Sequence, residues 1–205
     1  MTRIVLSKKS DGSMDDKKNK DAFLRRNDIS LLVLSENVHG NKVKVVNSSH
    51  AGKTIKSVDG LITKEKDLFI GVPVADCIPV FLWTNKAVGI FHAGWKGLIS
   101  GVLRSGALKM REIHDSEMNA YIGPGIGKCH FEVKEDVASK FPLLTEKNKG
   151  KMFVDLKKAA KEALIKEGLN KIKVNADCTY CMSDSYFSYR RDGKIKSMFA
   201  IIGNR

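Results

Sequence analysis

Long apolar runs are missing from this sequence, and that excludes the commonest membrane class. The first one, Ile4-Val5-Leu6, holds three residues before charges begin, too short for the apolar region of a secretion signal. No later run approaches the roughly 20 residues of a spanning helix, and a cytoplasmic protein is expected. Cysteine is sparse: Cys77, Cys129, Cys178 and Cys181 are too few and too unevenly spaced for a secreted disulfide scaffold. In a reducing compartment they serve as thiols, metal ligands or nucleophiles. Aromatic residues make up 7%, and no Arg-rich stripe interleaved with them runs along the chain. The net charge of +13 is therefore read as Lys dispersed over solvated faces rather than as a nucleic-acid footprint. Such a field also steers small anionic substrates. Repeats, low-complexity linkers and His-x-His pairs are absent too.

What is present fits one globular domain spanning 1–205, with 42% hydrophobic residues and enough length for a sizeable core. Residues 8–28 are polar, with a short helix expected around Lys20–Arg26. Short β-branched runs follow at Leu31–Leu34, Val43–Val46, Val58–Thr63 and Leu68–Val74, separated by Gly, Pro, Asn and Asp. A helix is predicted from Leu98, where Val102, Gly106 and Met110 recur every four residues. Another runs from an Asp155 cap along Leu156, Ala159, Ala160, Ala163 and Leu164 to Gly168. Further strands are expected at Asn119–Ile122, Lys171–Val174 and Ser197–Ile202. Several strands are apolar on both faces and must be covered on both sides. The fold class is α+β, a layered sandwich of mixed sheets with outer helices.

Cys77 and His92 flank a predicted hairpin, Ile78–Trp83 returning as Ala87–Phe91. With Thr84-Asn85 as the turn, Cys77 stands opposite His92, with Cβ atoms about 4.5–5.5 Å apart; a slip of one residue would put them on opposite faces. His39, in Val38-His39-Gly40, supplies a third donor. Two His and one Cys suit Zn²⁺ with a fourth position left open, the pattern of catalytic sites. The same geometry suits a metal-free pair in which Cys77 is the nucleophile and His92 the base. Asp76, beside Cys77, is a candidate acid or a support for the ligands.

Three further segments carry chemistry. Gly123-Pro124-Gly125-Ile126-Gly127-Lys128 can cradle an anion on backbone N–H groups or simply form a tight turn; Cys129 after Lys128 rules out a P-loop. Cys178-Thr179-Tyr180-Cys181 has the redox or zinc CxxC spacing but no second CxxC to complete a site. In Phe187-Ser188-Tyr189-Arg190-Arg191-Asp192-Gly193, aromatic faces can stack on a planar base and paired Arg can bind oxyanions, or the segment is a packed strand ending in a charged turn.

Taken together, Val-His-Gly at 38–40, Ala-Asp-Cys-Ile-Pro-Val at 75–80, His-Ala-Gly-Trp-Lys-Gly at 92–97, Ile-Gly-Pro-Gly-Ile-Gly at 122–127, Val-Asp-Leu-Lys at 154–157 and the Cys-Thr and Phe-Ser-Tyr-Arg-Arg-Asp-Gly stretches within 178–193 resemble the YfiH family. The family is also called laccase-domain or polyphenol-oxidase-like, and is described as purine nucleoside phosphorylases. The resemblance implies an α/β/β/α sandwich related to the cytotoxic necrotizing factor catalytic domain. It also implies a zinc ion on His39, Cys77 and His92. The implied activity is phosphorolysis of adenosine, inosine and methylthioadenosine, with adenosine deamination as well; copper-dependent phenol oxidation is the older description. Arg190, Arg191, Lys96, Phe187 and Gly125 are then the candidates for holding nucleoside and phosphate, in a monomer or homodimer. Lys96 stands where the family usually has Arg, Asn37 where it commonly has Gln, and Asn19-Lys20 where an Asn-Arg pair is usual.

Overall fold

In a computed structural model the described residues are 1–193 and 196–205. Along the chain they form β1 (Thr2–Leu6), α1 (Lys17–Arg26), β2 (Leu31–Ser35), β3 (Val43–Val45), β4 (Thr54–Ile55), β5 (Gly60–Thr63), β6 (Leu68–Val74), β7 (Ile78–Trp83) and β8 (Val88–Ala93). Then come α2 (Trp95–Ile99), α3 (Val102–Ile113), β9 (Asn119–Ile122), β10 (Glu132–Val133), α4 (Glu135–Ala138), β11 (Thr145–Asn148) and β12 (Lys151–Val154). Last are α5 (Leu156–Lys166), β13 (Lys171–Val174), α6 (Tyr189–Asp192) and β14 (Met198–Asn204).

Two mixed sheets dominate, with strand orders β1-β14-β6-β2-β4 and β13-β9-β7-β8-β5-β3, and β10-β12-β11 forms a small third. Period-two alternation sorts their side chains into layers. On β6, Leu68, Ile70, Val72 and Val74 face the second sheet, together with Met198, Ala200 and Ile202 of β14 and with Val88 and Ile90 of β8. Their alternates Phe69, Phe199 and Ile201 turn outward onto Phe23 of α1. On β7 and β8, Ile78, Val80, Leu82 and Phe91 turn the other way, onto Val102, Leu103, Ala107 and Met110 of α3 and Ala160 and Leu164 of α5. The expected α/β/β/α sandwich is the fold observed.

The helix expected from Leu98 is two helices. Gly101 takes φ 84° and starts a new one at Val102, a conformation costly for any residue with a Cβ. α5 begins as predicted, with the Asp155 carboxylate accepting from Lys158 N–H.

Corrected by two residues is the hairpin register: Ile78 lies opposite Ala93 and Pro79 opposite His92. The Thr84 N–H donates to the Ala87 carbonyl at 2.9 Å, and Thr84 Oγ1 accepts from the N–H groups of Lys86 and Ala87. Thr84 is thereby the last paired residue, and Asn85-Lys86 rather than Thr84-Asn85 makes the turn. A shift of two preserves the face of every side chain, so Cys77 and His92 still approach from one side.

Candidate metal centre

His39, Cys77 and His92 come together although they leave three different segments. His92 lies near the end of β8, Cys77 immediately before β7, and His39 in the loop between β2 and β3. Their ligand atoms all fall within 4.8 Å of one another. Cys77 Sγ and His39 Nε2 are 3.8 Å apart, and the two imidazole rings meet edge to face with centroids 4.9 Å apart. Gly94 makes room for them. A Cβ there would stand 2.9 Å from Cys77 Sγ and 3.1 Å from His39 Cδ2, so any larger residue would push sulfur and ring apart.

One of these positions and the neighbour of another carry backbone strain. His39 has φ 60° and Asp76, next to Cys77, has φ 78°, a region L-residues visit rarely and at a cost of about 1–3 kcal/mol. Each is held by a buried carboxylate. Asp59, fully buried, accepts from the backbone N–H groups of Val38 (3.2 Å), His39 (2.8 Å) and Gly40 (2.7 Å). It also accepts from Nδ1 of His92 at 2.9 Å, and its carbonyl receives the His92 N–H. One side chain thus fixes two of the three donors, and by occupying Nδ1 it leaves His92 Nε2 for a ligand.

The electrostatics follow. Burial pushes the Cys77 thiol up, but hydrogen bonding to His39 and His92 and their charge more than offset it, lowering it from 9.0 to about 6. Burial pushes His92 down, but Asp59 and then Cys77 hold its proton and raise it to about 9. Burial also works against the Asp59 carboxylate, yet His92 and the loop N–H groups leave it lowered. Without a metal, Cys77 and His92 form a thiolate–imidazolium pair at neutral pH. The thiolate is the reactive form, so alkylation of Cys77 in chelator-treated protein is expected to have its midpoint near pH 6 rather than 9. The rate should fall about tenfold per pH unit below that midpoint, and His92→Ala should move it upward; iodoacetamide kinetics read by mass spectrometry would check both.

Asp76 is engaged on every side. Its carboxylate accepts from Thr179 Oγ1 (2.6 Å), Ser188 Oγ (3.0 Å) and the Arg190 backbone N–H (2.7 Å). It pins the segment carrying Tyr189 and Arg190 against the Cys77 loop. Those two line a cavity of about 550 Å³ together with His39, Cys77, His92 and Trp95, a size ordinary for small-molecule sites. Among the described residues the Arg190 guanidinium makes one hydrogen bond, to the Glu132 carbonyl at 2.8 Å, and lies 5.5 Å from the Phe131 ring centre.

Other expected site residues stand elsewhere. Phe187 is buried between the sheets and is not among the residues lining the cavity. Arg191 spends its guanidinium on the carbonyls of Thr179, Tyr180 and Tyr186 and on Asp192. Lys96 is exposed, its ammonium 5.5 Å from the Trp95 ring centre. Gly125 packs where a Cβ would lie 2.9 Å from the Asp76 carbonyl and 2.8 Å from Ile78 Cγ1. It serves close approach of two backbones. Asp59 escaped the sequence reading, although a carboxylate inside the apolar run Val58–Thr63 was its signal: a charge in a buried strand is retained when it is paired.

A two-sheet sandwich with His₂Cys clustered beside a cavity defines the class, and comparison with known proteins places the chain within it. The family described as "Multi-copper polyphenol oxidoreductase laccase" matches residues 7–205, and the chain belongs to it. Among solved structures, a Bacillus licheniformis hypothetical protein YfiH superposes with a TM-score of 0.87 at 28% identity, covering 92% of this chain and 80% of that one. YlmD from Geobacillus stearothermophilus superposes with a TM-score of 0.85 at 29% identity, over 91% and 79%. A purine nucleoside phosphorylase of Aquifex aeolicus is 34% identical over 152 residues, 70% of this chain and 73% of that protein. Purine nucleoside phosphorylase YlmD of Bacillus subtilis is 29% identical over 218 residues, covering 94% and 78%. No helix among the described residues is long and apolar enough to cross a membrane.

Proposed function

We propose that this protein is a zinc-dependent purine nucleoside phosphorylase acting on adenosine, inosine and methylthioadenosine in the cytoplasm, with adenosine deamination as a side activity. The observation that carries this reading is the convergence of His39, Cys77 and His92 on a cavity that also presents aromatic faces and a guanidinium; relatives named purine nucleoside phosphorylases support it. Two imidazole nitrogens and one thiolate suit Zn²⁺, and three protein donors leave the open position of a catalytic rather than a structural ion. When bound, such an ion supplies Lewis acidity toward a substrate oxygen or nitrogen.

Trp95 and Tyr189, both on the cavity wall, offer flat faces for the purine. Arg190, whose guanidinium has further N–H groups beyond the one given to Glu132, binds phosphate. A phosphate oxygen attacks the anomeric carbon of ribose as the bond from that carbon to N9 breaks. The bonding pair leaves with the purine, which takes up a proton, and ribose 1-phosphate remains. Asp76 and Arg191 position this machinery: the first holds the Arg190 backbone, the second ties the 179–180 turn to the 186–192 segment.

The purified protein should release hypoxanthine from inosine only when phosphate is present; base release that ignores phosphate rejects the phosphorylase reading. The copper reading comes from the family's description. Phenol oxidation by copper-reconstituted protein that exceeds its phosphate-dependent base release would favour that reading. Asp76→Ala strands two buried hydroxyls and the part-buried Arg190 N–H and is expected to cost roughly 2–4 kcal/mol. Urea denaturation would measure that loss. Because Arg190 moves with it, KM for phosphate should rise more than kcat falls.

A further inference from the structure

A second set of four metal-ligating side chains lies outside the site just described, and its parts come from segments that sequence reading treated separately. Cys178 and Cys181 sit in the turn after β13. Cys129 and His130 sit in the loop after β9, directly behind the glycine-rich stretch. The ligand atoms of all four lie within 4.8 Å of one another. Cys129 Sγ and Cys181 Sγ are 3.5 Å apart, and Cys181 Sγ and His130 Nδ1 are 3.2 Å apart. Around a tetrahedral Zn²⁺ with Zn–S near 2.3 Å and Zn–N near 2.0–2.1 Å, ligand atoms stand about 3.5–3.8 Å from one another. The cluster already has nearly that size.

We infer that Cys129, His130, Cys178 and Cys181 form a second, closed zinc centre of the Cys₃His type. The CxxC half supplies the chelate, and the pair it lacked in sequence is Cys129-His130, brought over by the parallel pairing of β9 with β13. That pairing continues past the strands as a Gly125–Cys178 bridge, with Thr179 N–H donating to the Gly125 carbonyl at 3.1 Å.

The surroundings are those of a built site. The Gly127 N–H donates to Cys178 Sγ at 3.1 Å, which lowers the charge density on a thiolate. His130 is stacked on Tyr180, centroids 4.0 Å apart and rings 14° from parallel, which fixes its orientation. Lys128, Lys157 and Lys158 line the adjoining cleft with Cys129 and Cys178. Three thiolates and one Zn²⁺ carry a net charge of −1, and Lys157 and Lys158 complement it, whereas the Lys128 ammonium is paired with Glu146 at 2.6 Å. Four protein ligands leave no open position, so this ion is structural. It staples the glycine loop to the 178–181 turn, whose Thr179 hydroxyl and Tyr180 carbonyl hold Asp76 and Arg191.

The test separates the two centres. In a His39→Ala/Cys77→Ala double variant, purified without chelator and desalted, elemental analysis should still find about one zinc per chain. Adding Cys181→Ser, at an exposed position, should remove it while circular dichroism stays native. If the double variant does not fold, Cys181→Ser alone should lower the zinc content of the otherwise intact protein by about one equivalent. X-ray absorption of the double variant should show three sulfurs and one nitrogen around zinc. Less than a tenth of an equivalent in the folded double variant, an unchanged content in Cys181→Ser, or a Cys129–Cys181 disulfide in protein purified under reducing conditions would overturn the assignment.

Discussion

Asp59→Ala is expected to lose roughly 3–5 kcal/mol of stability, because it removes one member of a buried ion pair; the loop N–H groups it also strands belong to residues that water reaches, Val38 and His39 being exposed. Val38, His39 and Gly40 would lose their common acceptor, and the buried His92 its carboxylate. Urea denaturation of wild type and variant measures the loss directly. Asp59→Asn separates stability from chemistry. The amide keeps the volume and one acceptor oxygen but cannot receive both the His92 Nδ1 proton and the loop N–H groups on equal terms. It should unfold less readily than Asp59→Ala while metal affinity at His39, Cys77 and His92 falls about 10–100-fold. Wild-type metal affinity in Asp59→Asn would reduce Asp59 to a stabiliser of the loop.

Much of this arrangement is legible without coordinates, for reasons that differ from element to element. β6, β7 and β8 are apolar at successive positions, which requires cover on both faces, and α5 carries a cap, a stripe and a terminating glycine. The triad is legible because a hairpin's period of two tolerates the error in turn position: the true turn lies one residue later, the register moves by two, and the faces survive. What stayed hidden depends on long-range pairing. β1 reads as a short apolar run but is the edge partner of β14, which brings the first and last strands together. β10, β11 and β12 are only two to four residues long, and the hairpin joining β11 to β12 is set by Lys149 and Gly150 at positive φ. Asp59 acts through the backbone of residues some twenty positions earlier. Cys129-His130 and the CxxC sequence lie about fifty residues apart and meet through a parallel strand pair, which no local pattern announces. Phe187 shows the opposite error: an aromatic just before two Arg invites a stacking role, yet Phe187 and its neighbour Tyr186 are both buried in the inter-sheet core.

Cys77→Ala is expected to lower kcat/KM for phosphorolysis by about 10³-fold, the rate equivalent of the several kcal/mol that a well-placed metal contributes to a transition state. That loss alone does not assign Cys77 its task, since a nucleophile's removal is equally damaging. The lowered thiol suits both roles: a thiolate at neutral pH is what binds a metal and what attacks a carbonyl. Access to an alkylating agent distinguishes them. A ligand sulfur is shielded while the ion is bound, so Cys77 in protein as purified should react with iodoacetamide at least about ten times more slowly than after chelation. Rapid alkylation of Cys77 before chelation, with full activity lost as the label accumulates, would assign the sulfur to covalent catalysis instead. His92→Ala sharpens the contrast. A thiol without its imidazole partner loses the pairing that holds it at about 6, so a nucleophilic Cys77 would become sluggish at pH 7. For a metal ligand, the same substitution should release the ion and leave Cys77 open to the reagent at every pH where thiolate forms. Measuring label, metal content and base release on the same samples reads these outcomes together.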